Sequence, residues 1–261
     1  MATRMEWTGR RRAVSSFAMK ALGIDIGGSA LKGAPVNTAT GRLLAERLRI
    51  ATPQPLSPPQ MARAIGTIVR HFKWHGPIGV GFPGVIQGSF IRTSANLHPK
   101  FIDCDGGKLF AKAARHRVAL INDAAAAALA EMKFGAGRGF GGKTLLLTLG
   151  TGVGSALALD GKIFACEFGH LPHEGKSYEK FVADSARVKK DLSWGKWGRW
   201  LGRYIGELER VLWPELIIIG GGVSAKHEKF FPHVKSRARM VPAKSLNQAG
   251  IVGAALWAAA E

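Results

Sequence analysis

The chain has 261 residues, enough for one large domain or two smaller ones with a substantial core. Its apolar fraction of 46% and charged fraction of 21% are those of a globular protein and exclude a low-complexity chain. Lys and Arg number 37 against 18 Asp and Glu, and the formal net charge of +19 favours a polyanionic partner such as nucleic acid, an anionic membrane surface or a phosphate polymer. The alternative is that the basic surface serves solubility alone.

Cysteine usage and hydropathy indicate the cellular compartment in which the protein is expected. Cys104 and Cys166 predict free thiols in a reducing cytoplasm, and two cysteines cannot form a disulfide scaffold or a Cys-rich zinc site. The sequence has no run of eighteen apolar residues, so we expect no membrane span. Residues 1–20 have too short an apolar stretch for a signal peptide, and we expect a basic, disordered arm there, with an organellar transit peptide as the alternative.

Apolar runs alternate with helical patterns along the rest of the chain. Predicted strands cover Leu22–Ile26, Gly41–Ile50, Ile78–Phe82, Val118–Ile121, Thr144–Leu149, Ser155–Leu159, Lys162–Ala165 and Leu216–Ile219. Predicted helices cover Gln60–Lys73, Ala124–Phe134, Trp194–Leu212 and Gly250–Ala260. This alternation predicts an α/β protein. Because a strand and a glycine turn open both halves, we expect two similar lobes with a cleft between them.

The first of these turns lies in the stretch LGIDIGGSALKG. Gly27 and Gly28 would let backbone N–H groups approach an anion, and Ser29 adds a hydroxyl donor. Asp25 would be unfavourable to bury alone, but it has a partner beside a phosphate and Mg²⁺. Lys32 could contact the phosphate chain or only solvent. A purely structural hairpin is the alternative for the whole stretch.

Two further glycine turns follow buried strands. Gly150, Thr151, Gly152 and Gly154 repeat the glycine–hydroxyl pattern of the first turn, which indicates one phosphate chain held from both lobes. The third turn, Gly220–Gly222, suits packing against a flat ring or a simple tight turn.

Candidate chemistry lies at a strand-to-helix junction and after a hairpin. Asp123 follows Asn122 where a strand ends, and it is either a helix N-cap or a carboxylate facing the cleft. An unperturbed Asp is ionised at neutral pH and can accept a proton from a sugar hydroxyl. Glu167 and His170 offer hydrogen bonds to several hydroxyls of a sugar ring, whereas a buried structural histidine is the alternative for His170.

Seven motifs in this order resemble the ROK family of sugar kinases, within the actin-like ATPase superfamily, and especially its polyphosphate-using glucokinases and glucomannokinases. The motifs are Asp25–Ser29, Gly81–Gly84, Ser94–Asn96, Asn122–Ala124, Leu149–Ser155, Glu167–His170 and Ile219–Gly222. The resemblance covers about residues 21 to 260. It implies an actin-like, ribonuclease H-like fold with a small lobe at 21–121, a large lobe at 122–247 and a final helix at 248–261 that packs back on the small lobe.

The resemblance also implies roles for individual residues. Asp123 would be the general base on the 6-hydroxyl of glucose, with mannose or glucosamine as alternatives. The sugar would contact Gly84, Asn96, Asn122, Asp123, Glu167 and His170. Polyphosphate or ATP would contact Asp25, Gly27, Gly28, Ser29, Lys32, Gly150, Thr151, Gly152, Gly154, Gly221 and Gly222. Asp25 would hold Mg²⁺, directly or through water, and the chain would form a homodimer.

This sequence departs from the family pattern at three points. Residues 171–175 hold no cysteine, so we expect no zinc site, as in the polyphosphate branch. The glutamate that binds the anomeric side of the sugar in many relatives is shifted in register, and Glu174 is the candidate substitute. Ser29 stands where relatives usually have threonine, and the hydroxyl is kept.

The longest predicted helix has a basic face. Lys196, Arg199 and Arg203 fall within an arc of about 60° at the helical period, opposite an apolar stripe that predicts core packing. With Lys190 they could guide a long phosphate chain out of the cleft, although such a stripe is usually just a solvated face.

Three functions compete on these grounds. The first is a kinase using polyphosphate, ATP or both. The second is a sugar-responsive regulator, but the residues before the first strand are too few for a helix-turn-helix. The third is a nucleic-acid binder, which charge alone suggests and no motif supports. We therefore expect a kinase, with neither nucleic acid nor membrane as partner.

Overall fold

The computed structural model describes residues 20–51, 56–94 and 97–261. The arm expected at residues 1–20 lies outside these ranges, apart from Lys20, which begins the first strand. Asn96, expected on the sugar, also lies outside them.

The first half of the chain builds a five-stranded sheet, a small three-stranded sheet and three α-helices. Its elements are β1 (Lys20–Ile26), β2 (Ala30–Asn37), β3 (Leu48–Ala51), α1 (Pro58–His71), β4 (Ile78–Phe82), β5 (Ile86–Gln87), β6 (Phe90–Ile91), β7 (Cys104–Asp105), α2 (Gly106–Ala114), β8 (Val118–Asn122) and α3 (Asp123–Phe134). The order of the five-stranded sheet is β3-β2-β1-β4-β8, in which β1 and β2 form an antiparallel hairpin and β4 and β8 add in parallel, while β5, β6 and β7 form the small sheet.

The second half repeats this topology. Its elements are β9 (Thr144–Leu149), β10 (Val153–Leu159), β11 (Lys162–Cys166), β12 (Pro172–His173), β13 (Lys176–Ser177), α4 (Glu179–Val182), α5 (Asp184–Lys189), α6 (Trp194–Leu212), β14 (Leu216–Gly220), β15 (Arg239–Pro242) and α7 (Ala249–Ala260). The sheet order is β11-β10-β9-β14-β15, again a hairpin followed by two parallel strands. The prediction of an α/β fold with two similar halves is confirmed.

The second strand was predicted wrongly. The prediction placed it at Gly41–Ile50, whereas β2 occupies Ala30–Asn37 and β3 only Leu48–Ala51. Pro35 argued against a strand at residues 30–37, because proline usually interrupts a strand. The carbonyl of Pro35 accepts the N–H of Leu44 on the outer side of β2, beyond the end of β3, so its missing donor breaks no pair with β1.

Helices α3 and α7 lie between the two sheets. A buried cluster joins side chains of β1 and β2 to those of α3, β9, β14 and α7. Glycines allow very close contact there, because a Cβ on Gly79 would collide with the carbonyl of Ala254, and one on Gly253 with the carbonyl of Ala126. The final predicted helix is therefore present and packs on the first sheet, while the lobe boundaries at 121 and 247 stay a prediction.

Two further apolar cores lie on the outer faces of the sheets. Helices α1 and α2 cover the first sheet, and the apolar stripe of α6 covers the second. In α6, Trp197, Leu201 and Tyr204 are fully buried while Lys196 and Arg199 are exposed, as the helical period predicted. Within the described ranges, we find no helix with the length and apolar character needed to cross a membrane.

Candidate active site

The hairpin turns that open the two sheets lie opposite each other. Residues 27–29 join β1 to β2, and residues 150–152 join β9 to β10. A Cβ added to Gly28 would lie 3.4 Å from Oγ1 of Thr151, so the two turns almost touch. Both contribute to a cleft of about 210 Å³. Since backbone N–H groups at glycine turns can approach anions closely, this pair of turns suits a chain of phosphates.

Most of the glycines predicted for the donor line this cleft. They are Gly27, Gly28, Gly150, Gly152, Gly154 and Gly221, together with Thr151. Gly221 has a φ of +82°, a conformation that favours glycine. Ser29 and Gly222 are exposed and are not among the lining residues, so the structure does not place them in the cleft with the others.

Asp25 lies on β1, two residues before the first glycine turn. Its carboxylate is 3.8 Å from Nζ of Lys32, its partner across the hairpin. Burial raises the pKa of Asp25, and the charge of Lys32 opposes this rise. Gly250 packs against the same carboxylate, because an added Cβ would lie 2.6 Å from Oδ1. Lys32 is thus neither a plain solvent-facing residue nor a residue of the cleft wall, but the ion-pair partner of Asp25.

Asp123 begins α3 at the back of the cleft. The N-cap role belongs to Asn122, whose Oδ1 accepts the N–H of Ala125 at 3.0 Å and whose Nδ2 donates to Gly84 O at 3.1 Å. Asp123 is therefore not the cap. Its Oδ1 accepts the N–H of Ala124 at 2.7 Å, and the side chain lines the cleft, where the carboxylate can meet a ligand.

The pKa of Asp123 is raised to about 7, first by burial and then by the negative charges of Asp25 and Glu167. The ordinary pKa of an unperturbed Asp, from which the sequence argument started, therefore does not describe Asp123, because the sequence does not reveal these neighbours. A carboxylate with this pKa can take up and release a proton near neutral pH, which is the property of an efficient general base.

Glu167 and His170 form a polar wall of the same cleft. Oε2 of Glu167 lies 3.7 Å from Nδ1 of His170, and both side chains line the cleft. Burial raises the pKa of Glu167, the His170 ring opposes this, and the charge of Glu179 adds to it. Gly84 and Asn122 line the same region. The cleft thus holds Glu167, His170, Gly84 and Asn122 together with the Asp123 carboxylate and the glycine turns.

Glu174 lies away from this wall. It occupies the turn between β12 and β13 with a φ of +47°, and its side chain is 61% exposed. Glu179, which the sequence analysis missed, lines the cleft instead, with a side chain only 9% exposed and paired to Nζ of Lys180 at 2.9 Å. After the short β12–β13 hairpin the chain returns to the cleft, which places Glu179 in the cleft wall.

The predicted phosphate path lies outside the cleft. Lys190, Lys196, Arg199 and Arg203 are all exposed. Nζ of Lys190 donates to Lys180 O at 3.0 Å and lies 4.5 Å from the ring of Phe181. The guanidinium of Arg203 lies 5.1 Å from the ring of Trp200. Within the described part of the chain, no group of three or more His, Cys, Asp or Glu could hold a metal ion.

Known proteins resemble this chain over most of its length. The family model described as "ROK family" matches residues 21–187. The polyphosphate glucokinase of Mycobacterium tuberculosis (strain CDC 1551 / Oshkosh) is 41% identical over 92% of this chain and 91% of its own. The crystal structure of the inorganic polyphosphate/ATP-glucomannokinase from Arthrobacter sp. strain KM has a TM-score of 0.87 at 40% identity, covering 91% of this chain and 97% of that one.

A more distant structure supports the fold alone. The ROK family glucokinase from Streptomyces griseus, in complex with glucose and AMPPNP, has a TM-score of 0.80 at 22% identity and covers 93% of this chain and all of that one. The two-lobed, actin-like α/β fold that the motifs implied is confirmed. On the family match and the identity over nine-tenths of its length, the chain belongs to the ROK family.

Proposed function

We propose that this chain is a sugar kinase that transfers a phosphoryl group from inorganic polyphosphate or ATP to the 6-hydroxyl of glucose, giving glucose 6-phosphate. The observation that carries the proposal is the position of Asp123 in one cleft with two glycine turns and the polar wall of Glu167, His170 and Glu179. The names of the relatives, a polyphosphate glucokinase and a polyphosphate/ATP-glucomannokinase, support this donor and acceptor.

Asp123 is the general base in this proposal. The oxygen that does not accept the Ala124 N–H takes the proton of the sugar hydroxyl as that hydroxyl attacks the terminal phosphorus. The reaction needs little covalent chemistry from the protein, so positioning and charge stabilisation supply most of the rate.

The sugar contacts Asn122, Glu167, His170 and the backbone of Gly84. Glu179 replaces Glu174 on the anomeric side, because Glu179 lines the cleft and Glu174 does not. Asn96, in a segment outside the described residues, completes the set by resemblance.

The donor's terminal phosphates lie between the two glycine turns. Asp25 is the residue that would hold Mg²⁺, directly or through water. The fit rests on two carboxylates near enough that the charge of Asp25 raises the pKa of Asp123, since a cation among the phosphates would relieve this repulsion. When bound, Mg²⁺ neutralises charge on the phosphates.

A coupled assay for glucose 6-phosphate tests the function. Purified polyphosphate or ATP is supplied as the only donor, and mannose and glucosamine replace glucose in parallel reactions. Activity with polyphosphate is expected, and Asp123→Asn should lower kcat at least about 100-fold, as loss of a general base does. Asp160→Asn, at the exposed β10–β11 turn, is the matched control. Full activity of Asp123→Asn would contradict the base assignment.

A long polyphosphate chain leaves the cleft along a basic track in this proposal. The track starts at Lys180, which pairs with Glu179 in the cleft wall, and continues to Lys190 over Phe181. Arg203 over Trp200 extends it along α6, where Lys196 and Arg199 share the exposed face. Aromatic rings under the cations fix them without removing their charge.

Kinetics with polyphosphate of different lengths distinguish a binding track from a basic face that contacts only solvent. Lys190→Met with Arg203→Met should raise KM for long polyphosphate, steeply so at low salt, and leave KM for ATP unchanged. If the double variant had the same KM as the parent for long polyphosphate and for short polyphosphate, the track would be removed from the proposal.

We also propose a cytoplasmic homodimer, by resemblance to the family. Light scattering of the purified protein at several concentrations measures the assembly directly, and a monomer mass at every concentration would reject it.

A further inference from the structure

The second glycine turn is held from behind by one serine. Ser185 donates its backbone N–H to Gly150 O at 3.0 Å and its hydroxyl to Thr151 O at 2.6 Å. Both accepting carbonyls belong to the turn that faces Gly28 across the cleft. Ser185 does not line the cleft itself, so it reaches the donor site only through this turn.

These two hydrogen bonds set the direction of two amides. In a trans peptide, a carbonyl and the N–H that follows it point in opposite directions. Because Gly150 O and Thr151 O point towards Ser185, the N–H groups of Thr151 and Gly152 point away from it. Thr151 and Gly152 line the cleft, and these N–H groups are the donors that a phosphate needs.

Side-chain packing gives this turn little other support. A Cβ added to Gly150 would meet nothing within 4 Å, and Thr151 is exposed. The N–H of Gly150 bonds back to Gly152 O at 3.0 Å, which closes the turn but does not fix its direction relative to the cleft. The bonds from Ser185 supply that direction.

Ser185 itself stands on a fixed element. It is the second residue of α5, where Nε of Arg187 bonds Oδ1 of Asp184 at 2.9 Å and the Arg187 guanidinium lies 4.0 Å from the ring of Trp194 on α6. Six residues before Ser185, α4 begins with Glu179 in the cleft wall, and the Ala183 N–H bonds Glu179 O at 3.1 Å. A single short segment, 179–185, therefore connects the sugar wall to the phosphate turn.

We infer that Ser185 is a positioning residue for the phosphoryl donor, which aims the amides of the Gly150–Gly152 turn at the phosphates through its hydroxyl. This inference rests on the proposed function for the identity of the donor. It adds a residue that touches neither the sugar nor the donor, and that none of the sequence motifs contains.

Steady-state kinetics with Ser185→Ala tests the inference. KM for polyphosphate and for ATP should rise about three- to fivefold, the effect of one neutral hydrogen bond, while KM for glucose stays within about twofold. Ser185→Thr keeps the hydroxyl and should restore the parent KM values. Ser57→Ala, which removes a hydroxyl from the N-terminus of α1 far from the turn, is the control for general loss of stability.

Direct binding separates this inference from the proposed function. Titration calorimetry with tripolyphosphate, on each variant after a thermal melt has shown it to be folded, should give a weaker Kd for Ser185→Ala than for the parent and Ser185→Thr. That result in a protein without kinase activity would keep the positioning role and reject the proposed function. In an active kinase, the inference would be overturned if Ser185→Ala changed neither the donor KM nor the Kd for tripolyphosphate. It would also be overturned if the variant raised the glucose KM as much as the donor KM. A parent protein that does not bind tripolyphosphate would overturn it as well.

Discussion

Asp123→Asn should make the fold more stable above neutral pH while it removes catalysis. The carboxylate is half-buried beside two other negative charges, and its pKa is raised from 3.8 to about 7. A rise of this size corresponds to at most about 4 kcal/mol, at about 1.4 kcal/mol for each pKa unit. Asparagine keeps an oxygen for the Ala124 N–H but carries no charge, so it avoids this penalty.

The raised pKa of Asp123 determines whether the free energy of unfolding rises or falls with pH. Because the folded protein binds this proton more tightly than the unfolded chain does, the stabilisation is fully present below pH 3.8 and is lost as pH rises through about 7. Asparagine loses nothing over this range. The stability of Asp123→Asn relative to the parent should therefore increase by about 2.5 kcal/mol between pH 5 and pH 8.

Urea unfolding of the parent, Asp123→Asn and Asp160→Asn at the two pH values measures this difference. Other groups titrate in all three proteins, so their contributions cancel in the comparison. A gain for Asp123→Asn that is the same at pH 5 and pH 8, or a gain of equal size for Asp160→Asn, would refute the reasoning. The active site would then not be a place where charge destabilises the fold.

The remaining predictions concern the pH profile, the sugar wall and the helix–sheet contact. Since Asp123 must lose its proton, kcat/KM should rise with pH through about 7, and a flat profile from pH 5 to pH 9 would contradict this. Glu179→Gln should raise KM for glucose about tenfold or more, while the exposed Glu174→Gln leaves it unchanged. In thermal melts, Gly79→Ala should unfold at a much lower temperature, because its Cβ collides with the Ala254 carbonyl, whereas Gly206→Ala, with open space around its Cβ, should be slightly stabilised.

Local pattern predicted the elements whose signal lies within a few residues. The bounds of α6 were predicted correctly from its helical pattern, and the structure adds Ser193 as the N-cap that accepts the N–H of Lys196. The β10–β11 hairpin followed from Asp160–Gly161, both at positive φ as a two-residue turn requires. Both glycine turns were found because each follows a buried strand.

Properties set by distant residues could not be predicted in this way. The pKa of Asp123 depends on Asp25, 98 positions earlier in the chain, and on Glu167, so a standard value was the only available expectation. Glu179 was missed because the β12–β13 hairpin lengthens the path from His170 to the next cleft residue. The aromatic Tyr178, fully buried just before it, was a signal that the chain turns inward there.

The position of α7 has a consequence for how the protein is made. This helix packs on β1 and β4, yet it is synthesised after every other helix of the described chain. While the ribosome is still extending the chain, the face of the first sheet that includes Gly23 and Gly79 has no cover. The N-terminal half can form the outer core under α1 and α2 during its own synthesis, but the inner face of its sheet is completed only after residues 249–260 have been made.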